Sequence, residues 1–389
     1  MPSRIFLDAN AGLPAREEVL AAYVRTEREA PANPASTHRS GRRAQAVLED
    51  ARARVAARLR CDAPQIVFTS GATEADNLGL VGAARALRRM HGAAPALFAS
   101  AAEHPAALAP LRLLQLEGCP LTLVDIDRHA RVDADALVAG MRGARAAVVA
   151  LQWANNETGA IQPLAAVLAE ATPDRVVHVD AVQGIGKLPW DAALEQASGL
   201  AVSGHKIGAP KGVGVLRLRD DVALDAVLAG GGQQKGRRGG TESPALAVAF
   251  ATALDLAMDE QQDAARHTAA CTDAFLGTLR AAGLSFKENH PPEATERLPN
   301  TCNLAFPGVD GRALMPACDL SGLDVASGAA CSSGAALPSA VLRACGLNDE
   351  LAQASLRASF SPNTTVQEAH EAARRLATLL RRLYEVANR

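Results

Sequence analysis

Apolar residues recur along the first two-thirds of the chain in two alternating patterns. Short runs at Ile66–Ser70, Ala96–Ser100, Ala146–Leu151, Val176–Asp180, Gly199–Ser203 and Gly212–Arg217 have the length and composition of buried strands. Between them lie Ala/Leu/Arg segments such as Arg39–Arg60 and Glu74–His91, whose apolar residues fall three and four apart, as on one helix face. Strands alternating with helices imply a mostly parallel sheet covered on both faces. Ligands of such sheets sit beyond the carboxyl ends of the strands, so the residues just after each strand are the candidates for chemistry. After about residue 256 the pattern changes. A helix at Asp259–Ala282 leads to an irregular stretch at His290–Leu298, a strand at Asn303–Phe306 and further helices. This reads as a smaller α+β domain joined by the N-terminal arm. The expected division is 15–256 for the large domain, with 1–14 and 257–389 for the small one.

Composition narrows the class. Hydrophobic residues make up 48% of the 389, charged residues 21%, and the formal net charge is −2. That balance suits a soluble globular protein and lacks the basic field that direct nucleic-acid binding needs. No signal peptide or membrane-length apolar run is present. The seven cysteines are odd in number, widely spaced and without a C-x-x-C pair. They read as reduced thiols, with no disulfide frame and no metal site. The expected setting is cytoplasmic.

Three strand ends carry candidate chemistry. In Thr69-Ser70-Gly71-Ala72-Thr73-Glu74-Ala75 a strand gives way through a glycine to a helix. The N–H groups and dipole there suit an anion, although an ordinary helix cap explains the same residues. Val176–Asp180 ends on a carboxylate that reads as a cap, an ion-pair partner, or the partner of a cationic ring nitrogen such as pyridoxal phosphate presents. Ser203-Gly204-His205-Lys206 follows another strand end, and Lys206 is one of only five lysines, with Lys187, Lys211, Lys235 and Lys287. A partly desolvated lysine near phosphate and a ring cation sheds its proton readily, as Schiff-base chemistry requires. The other four lysines lack this combination of neighbours.

Taken in order, these segments resemble the cysteine desulfurases, a branch of the class-V aminotransferase family of fold-type-I pyridoxal-phosphate enzymes. The resemblance runs nearly the whole length: Leu7–Ala11, Asn33–His38, Thr69–Leu80, Glu103-His104, Asn155–Gly159, His178–Pro189, Ser203–Gly214, Gly230–Glu242 and Val325–Gly334. It implies a large domain with a mostly parallel seven-stranded sheet between helices, plus a smaller α+β C-terminal domain. It also implies pyridoxal 5'-phosphate in Schiff-base linkage to Lys206, with Asp180 on the ring nitrogen and Gln183 on the ring hydroxyl. Ala72, Thr73, Ser203 and His205 would bind the phosphate, and Thr241 would reach it from the other subunit of a homodimer. His104 would stack on the ring and move protons. Asn156 and Arg357 would hold the substrate carboxylate, a task that suits a guanidinium fork.

Cys331 sets the implied reaction. It lies in Ser327-Gly328-Ala329-Ala330-Cys331-Ser332-Ser333-Gly334, a run of small residues that leaves a thiol accessible. The resemblance implies that Cys331 takes sulfur from L-cysteine as a persulfide and leaves L-alanine. The sulfur then passes to an iron–sulfur scaffold or a tRNA-thiolation relay. A selenocysteine lyase or related C–S lyase on the same cofactor is the alternative, and the other six cysteines read as small buried hydrophobes. Three places depart from the family pattern: Gly12-Leu13 where two threonines are usual, Gln234 where an acid follows the glutamine, and Ser361-Pro362-Asn363 where a Gly-Arg pair is frequent.

Overall fold

The computed structural model describes residues 3–327 and 338–387. A short N-terminal strand, β1 (Ile5–Phe6), precedes seven strands of a single sheet. These are β2 (Ile66–Thr69), β3 (Ala96–Ser100), β4 (Leu121–Val124), β5 (Ala147–Gln152), β6 (Arg175–Asp180), β7 (Gly199–Ser203) and β8 (Gly214–Leu218), in spatial order β2-β8-β7-β6-β5-β3-β4. All neighbouring pairs are parallel except those made by β8, which runs antiparallel to both β2 and β7.

The sheet is a sandwich filling because its strands are apolar on both faces. Val148 and Ala150 of β5 join one buried cluster, and Ala147, Val149 and Leu151 join the other. Phe98 of β3 and Leu97 with Ala99 divide the same way, as a period of two requires. Helices Ala72–His91 and Pro105–Leu116 pack together and cover one face. Helices Glu17–Glu29, Arg39–Arg58 and Pro244–Asp259 form the layer on the other.

A third apolar cluster gathers Ile5 and Leu7 with residues from 271 to 380. Its framework is β9 (Lys287–Glu288), β10 (Thr301–Ala305), β11 (Leu323–Asp324) and β12 (Ser355–Ser359). Strands β12-β10-β9 form an antiparallel sheet, while β1 pairs with β11. Asp8 bridges to Ser359, so the N-terminal arm runs along β12.

Periodicity does not reveal several of these elements, among them strand β4 and helix Pro244–Asp259. Strand β4 is an edge strand with Thr122 and Leu123 exposed, so it lacks the apolar run of its neighbours. Pro244–Asp259 is a helix in its own right, separated at Glu260 from the helix Gln261–Ala281 where one starting at Asp259 was expected. The reversed direction of β8 is invisible to periodicity, since a fully buried strand has the same composition either way up. Among the described residues no helix is long and apolar enough to cross a membrane.

Candidate active site

The carboxyl ends of β2, β6 and β7 open on one cavity of about 540 Å³, within the range of cofactor sites. Ala72, Thr73, His104, Asn156, Asp180, Gln183, Ser203, His205, Lys206 and Arg357 all line it. Ten residues picked from the sequence thus meet in space. Thr241 is exposed and does not line it, and Cys331 lies outside the described residues. The flanking described residues are close by: Ala326 pairs with Arg357 backbone to backbone, and Ser339 Oγ donates to Glu157 Oε2 at 2.5 Å.

At one end of the cavity helix Ala72–His91 begins without a side-chain cap, which leaves its first N–H groups available for an anion. Glu74 accepts from Ser70 N–H at 2.7 Å and pairs with Arg238, fixing the turn. Gly214 lets β8 approach: a Cβ there would lie 2.6 Å from the Gly71 backbone. Ser203 Oγ and His205 Nδ1 are 2.9 Å apart, and burial, with Lys206 and Lys211 nearby, pushes the His205 imidazole down to about 4.

At the centre, Asp180 accepts from Val182 N–H at 2.9 Å, while burial and the neighbouring Asp76 raise its carboxyl to about 6. A cationic ring nitrogen would supply the counter-charge this carboxylate lacks. Lys206 Nζ donates to the Asn10 carbonyl at 2.5 Å. His104 caps helix Pro105–Leu116, its Nδ1 accepting from Ala106 N–H at 3.1 Å. Its neutral form therefore carries the proton on Nε2. Burial is the main cause holding its imidazole below the ordinary range, against the pull of Asp180. A bare helix N-terminus, an isolated strand-end carboxylate and a lysine in one cavity suit the phosphate, ring nitrogen and aldehyde of pyridoxal phosphate.

On the far wall Arg357, buried in β12, donates Nη1 to the Asn156 carbonyl at 3.0 Å and Nη2 to Asp8 Oδ1 at 2.5 Å. A substrate carboxylate arriving here would share the guanidinium with Asp8. None of the six described cysteines lines the cavity, and burial lifts the thiols of Cys302, Cys318 and Cys345 to about 12. Among the described residues no cluster of His, Cys, Asp and Glu could hold a metal.

The departures have local explanations. Leu13 N–H donates to the His205 carbonyl at 2.9 Å, tying the arm to the Lys206 turn. The Gln234 amide accepts from Phe68 N–H at 2.7 Å and donates to the Phe68 carbonyl at 2.8 Å, capping the open edge of β2 as a carboxylate could not. Ser361 and Thr364 bond to each other in the turn before helix Val366–Ala387.

The motif reading overlooked Asn10, Lys187, and the pair Asp76–His178. Asn10 is buried and joins both parts of the chain, donating to Asn156 and Thr301 and accepting from Gln183, Lys187, Lys206 and Asn300. Lys187 does not lack a special setting: its amine lies in this network. The only sequence signal was its place four residues after Gln183. His178 Nε2 and Asp76 Oδ1 are 2.9 Å apart, and both residues are buried. Burial raises the Asp76 carboxyl to about 8 and lowers the His178 imidazole to about 4, so the pair carries no net charge near neutrality.

Residues 5–371 match the aminotransferase class-V family model. A putative cysteine desulfurase IscS 1 from Bacillus subtilis is 35% identical over 382 residues, covering 98% of this chain and 99% of the relative. The cysteine desulfurase IscS of a Neisseria meningitidis strain is 35% identical, covering 98% and 94%. Among solved structures, a NifS-like protein superposes with a TM-score of 0.86 at 28% identity, covering 98% of this chain and 100% of that one. DndA from Streptomyces lividans does so at 0.74 with 33% identity, covering 92% and 99%. With its sheet order, its cavity and its full-length relatives in agreement, the chain belongs to the class-V aminotransferase family, among the cysteine desulfurases.

Proposed function

We propose that this chain is a pyridoxal-phosphate-dependent cysteine desulfurase that converts L-cysteine to L-alanine and leaves the sulfur as a persulfide on Cys331. The supporting observation is the meeting of Lys206, Asp180 and the uncapped helix start at Ala72 in one cavity. When bound, pyridoxal phosphate supplies an electron sink that labilises bonds of the amino acid attached to it. Lys206 would hold its aldehyde carbon, Asp180 its ring nitrogen and Gln183 its ring hydroxyl. Ala72, Thr73, Ser203 and His205 would hold the phosphate, with Thr241 contributed by a second subunit.

His104 covers the cavity and offers Nε2 for proton movement alongside the Lys206 amine. Arg357 and Asn156 orient the substrate carboxylate. The Cys331 thiolate attacks the substrate sulfur: the new S–S bond forms as the carbon–sulfur bond breaks, and the carbon takes up a proton. Thiol plus cysteine thus gives persulfide plus alanine, with no outside oxidant or reductant. The persulfide is delivered to an acceptor such as an iron–sulfur scaffold or a thiolation relay. The residues 15–256 form the cofactor-binding domain in this reading, and 1–14 with 257–389 form the domain that carries the Cys331 segment.

The test is alanine and sulfide release from L-cysteine with a thiol reductant, compared across wild type, Lys206→Ala and Cys331→Ala. Lys206→Ala is expected to lose both products and the covalent visible band. Cys331→Ala is expected to keep the band and lose turnover of cysteine. A Cys331→Ala protein that releases sulfide at the wild-type rate would remove the thiol from the mechanism and favour the lyase alternative.

A further inference from the structure

The Lys187 amine sits behind the cavity wall. Lys187 lines a second, small cavity of about 40 Å³ together with Lys206, Arg16 and Glu260. The amino end donates to Asn10 Oδ1 at 2.9 Å and to Gln183 Oε1. No carboxylate appears among these partners, and the charged groups acting on Lys187 are the cations Lys206 and Arg357. Burial first, then those cations, pushes the amine well below its ordinary range. Two of the amine's N–H groups serve the two acceptors, Asn10 Oδ1 and Gln183 Oε1.

The consequence falls on Gln183. A side-chain amide has one accepting end and one donating end, and its orientation follows from its neighbours. Here a donor at Lys187 claims Oε1, and the Asn10 carbonyl accepts from Nε2 at 3.0 Å. That same carbonyl accepts from Lys206. Oε1 is thus engaged by Lys187, and Nε2, a donor, shares the Asn10 carbonyl with the Lys206 amine.

We propose that Lys187 is a positioning residue of the active site. Its amine pins the accepting ends of Gln183 and Asn10, so that the Gln183 N–H donor and the Asn10 carbonyl are presented beside Lys206. Lys187 touches neither substrate nor cofactor. The proposal rests on the reading of the cavity as a pyridoxal-phosphate site in which Gln183 serves the ring hydroxyl.

The experiment follows the visible absorption of the cofactor-loaded protein against pH in wild type, Lys187→Met, Gln183→Leu and the double variant. A donor to the ring oxygen favours its negative form, so its loss makes the chromophore keep its proton to higher pH. Lys187→Met is expected to move the midpoint up by about one pH unit, the size of one neutral hydrogen bond. Gln183→Leu is expected to move it at least as far, and the double variant no further than Gln183→Leu alone, because the lysine acts through the glutamine. In turnover, kcat falls while KM stays near wild type.

A wild-type midpoint in Lys187→Met, or shifts that add in the double variant, overturns the proposal. Should Lys187→Met not fold, Lys187→Gln decides. It keeps an N–H donor and is expected to titrate close to wild type, and a shift as large as that of Gln183→Leu overturns the proposal. Wild-type protein that takes up pyridoxal phosphate without any visible band would instead sink the cofactor reading itself, and this proposal with it.

Discussion

Glu157 follows the cavity residue Asn156 in sequence and, itself buried, accepts from Ser339 Oγ. Burial lifts its carboxyl to about 7 from the usual 4.5, outweighing the hydrogen bond and the Arg357 charge that oppose the rise. The folded chain therefore keeps a proton between those values that the unfolded chain has released, and stability is lost as pH rises through that window. Glu157→Gln keeps an acceptor for Ser339 and removes the titration. Relative to wild type it is expected to gain stability as pH rises from 4.5 to 7, reaching about 3 kcal/mol, and to gain nothing further above that. Thermal melts across this range check the sign, and a difference that does not vary with pH contradicts it. At this scale the sequence marked Asp180, Lys206 and Thr73 by their place at a strand end or a helix start, and the fold brings all three to one cavity. The sequence was a poor guide to Asn10, Lys187 and Asp76, each of which has a partner more than a hundred residues away in sequence.

Helix Ala72–His91 carries the uncapped start that faces the cavity, and its packing sets where that start points. Gly79, in the middle of this helix, lies against the His178 imidazole: a Cβ there would be 2.4 Å from Nδ1, and one on Gly199 would be 2.6 Å from it. Helix propensity alone makes Gly79→Ala a gain of about 1 kcal/mol. The contact is with a rigid buried ring already held by Asp76, so overpacking of about 1–3 kcal/mol works against that gain. Gly79→Ala is expected to lower the melting temperature, and a rise would show that His178 can yield. The same element logic explains Gln234. Helix and strand patterns say nothing about how an edge is closed, yet its amide pairs with Phe68 as a strand backbone would. A side chain in a Gly-rich loop can do this because the loop turns through left-handed backbone at Gln234 and Lys235.

For the whole molecule, the cavity is enclosed by two bodies of packing: the sheet with its helices, and the cluster built on β10 and β12. Asn10 spans the two, with Lys206 and Gln183 on one side and Thr301 and Asn300 on the other. In the proposed reading, cofactor bound at this junction would stabilise the folded state by mass action. Pyridoxal phosphate at 100 times its Kd is expected to add about 2.7 kcal/mol, read as a rise in Tm, with the gain reduced in Lys206→Ala. Thr241 is exposed here, which fits a residue serving a neighbouring subunit in the proposed dimer. The dimer reading predicts a solution mass of two chains, and about tenfold weaker cofactor binding in Thr241→Ala from loss of a charge-assisted hydrogen bond. A monomer with undiminished affinity in that variant rules the arrangement out.

What the sequence determined by itself was local and periodic. Apolar runs with a period of two on both faces made the buried strands, and three-and-four spacing made the covering helices. Chemistry-bearing residues at β6, β7 and the start of helix Ala72–His91 marked where a ligand would sit, because strand ends of a parallel sheet open on one side. Tertiary structure decided the rest. The direction of β8 depends on which neighbour it meets, and a buried strand's composition is the same for both. The state of Lys187, Asp76 and His178 depends on desolvation and on partners brought near by folding, and neither quantity is written in a residue's neighbours along the chain. The orientation of Gln183 is the clearest case: an amide has two ends, and only the side chains that fold around it choose between them.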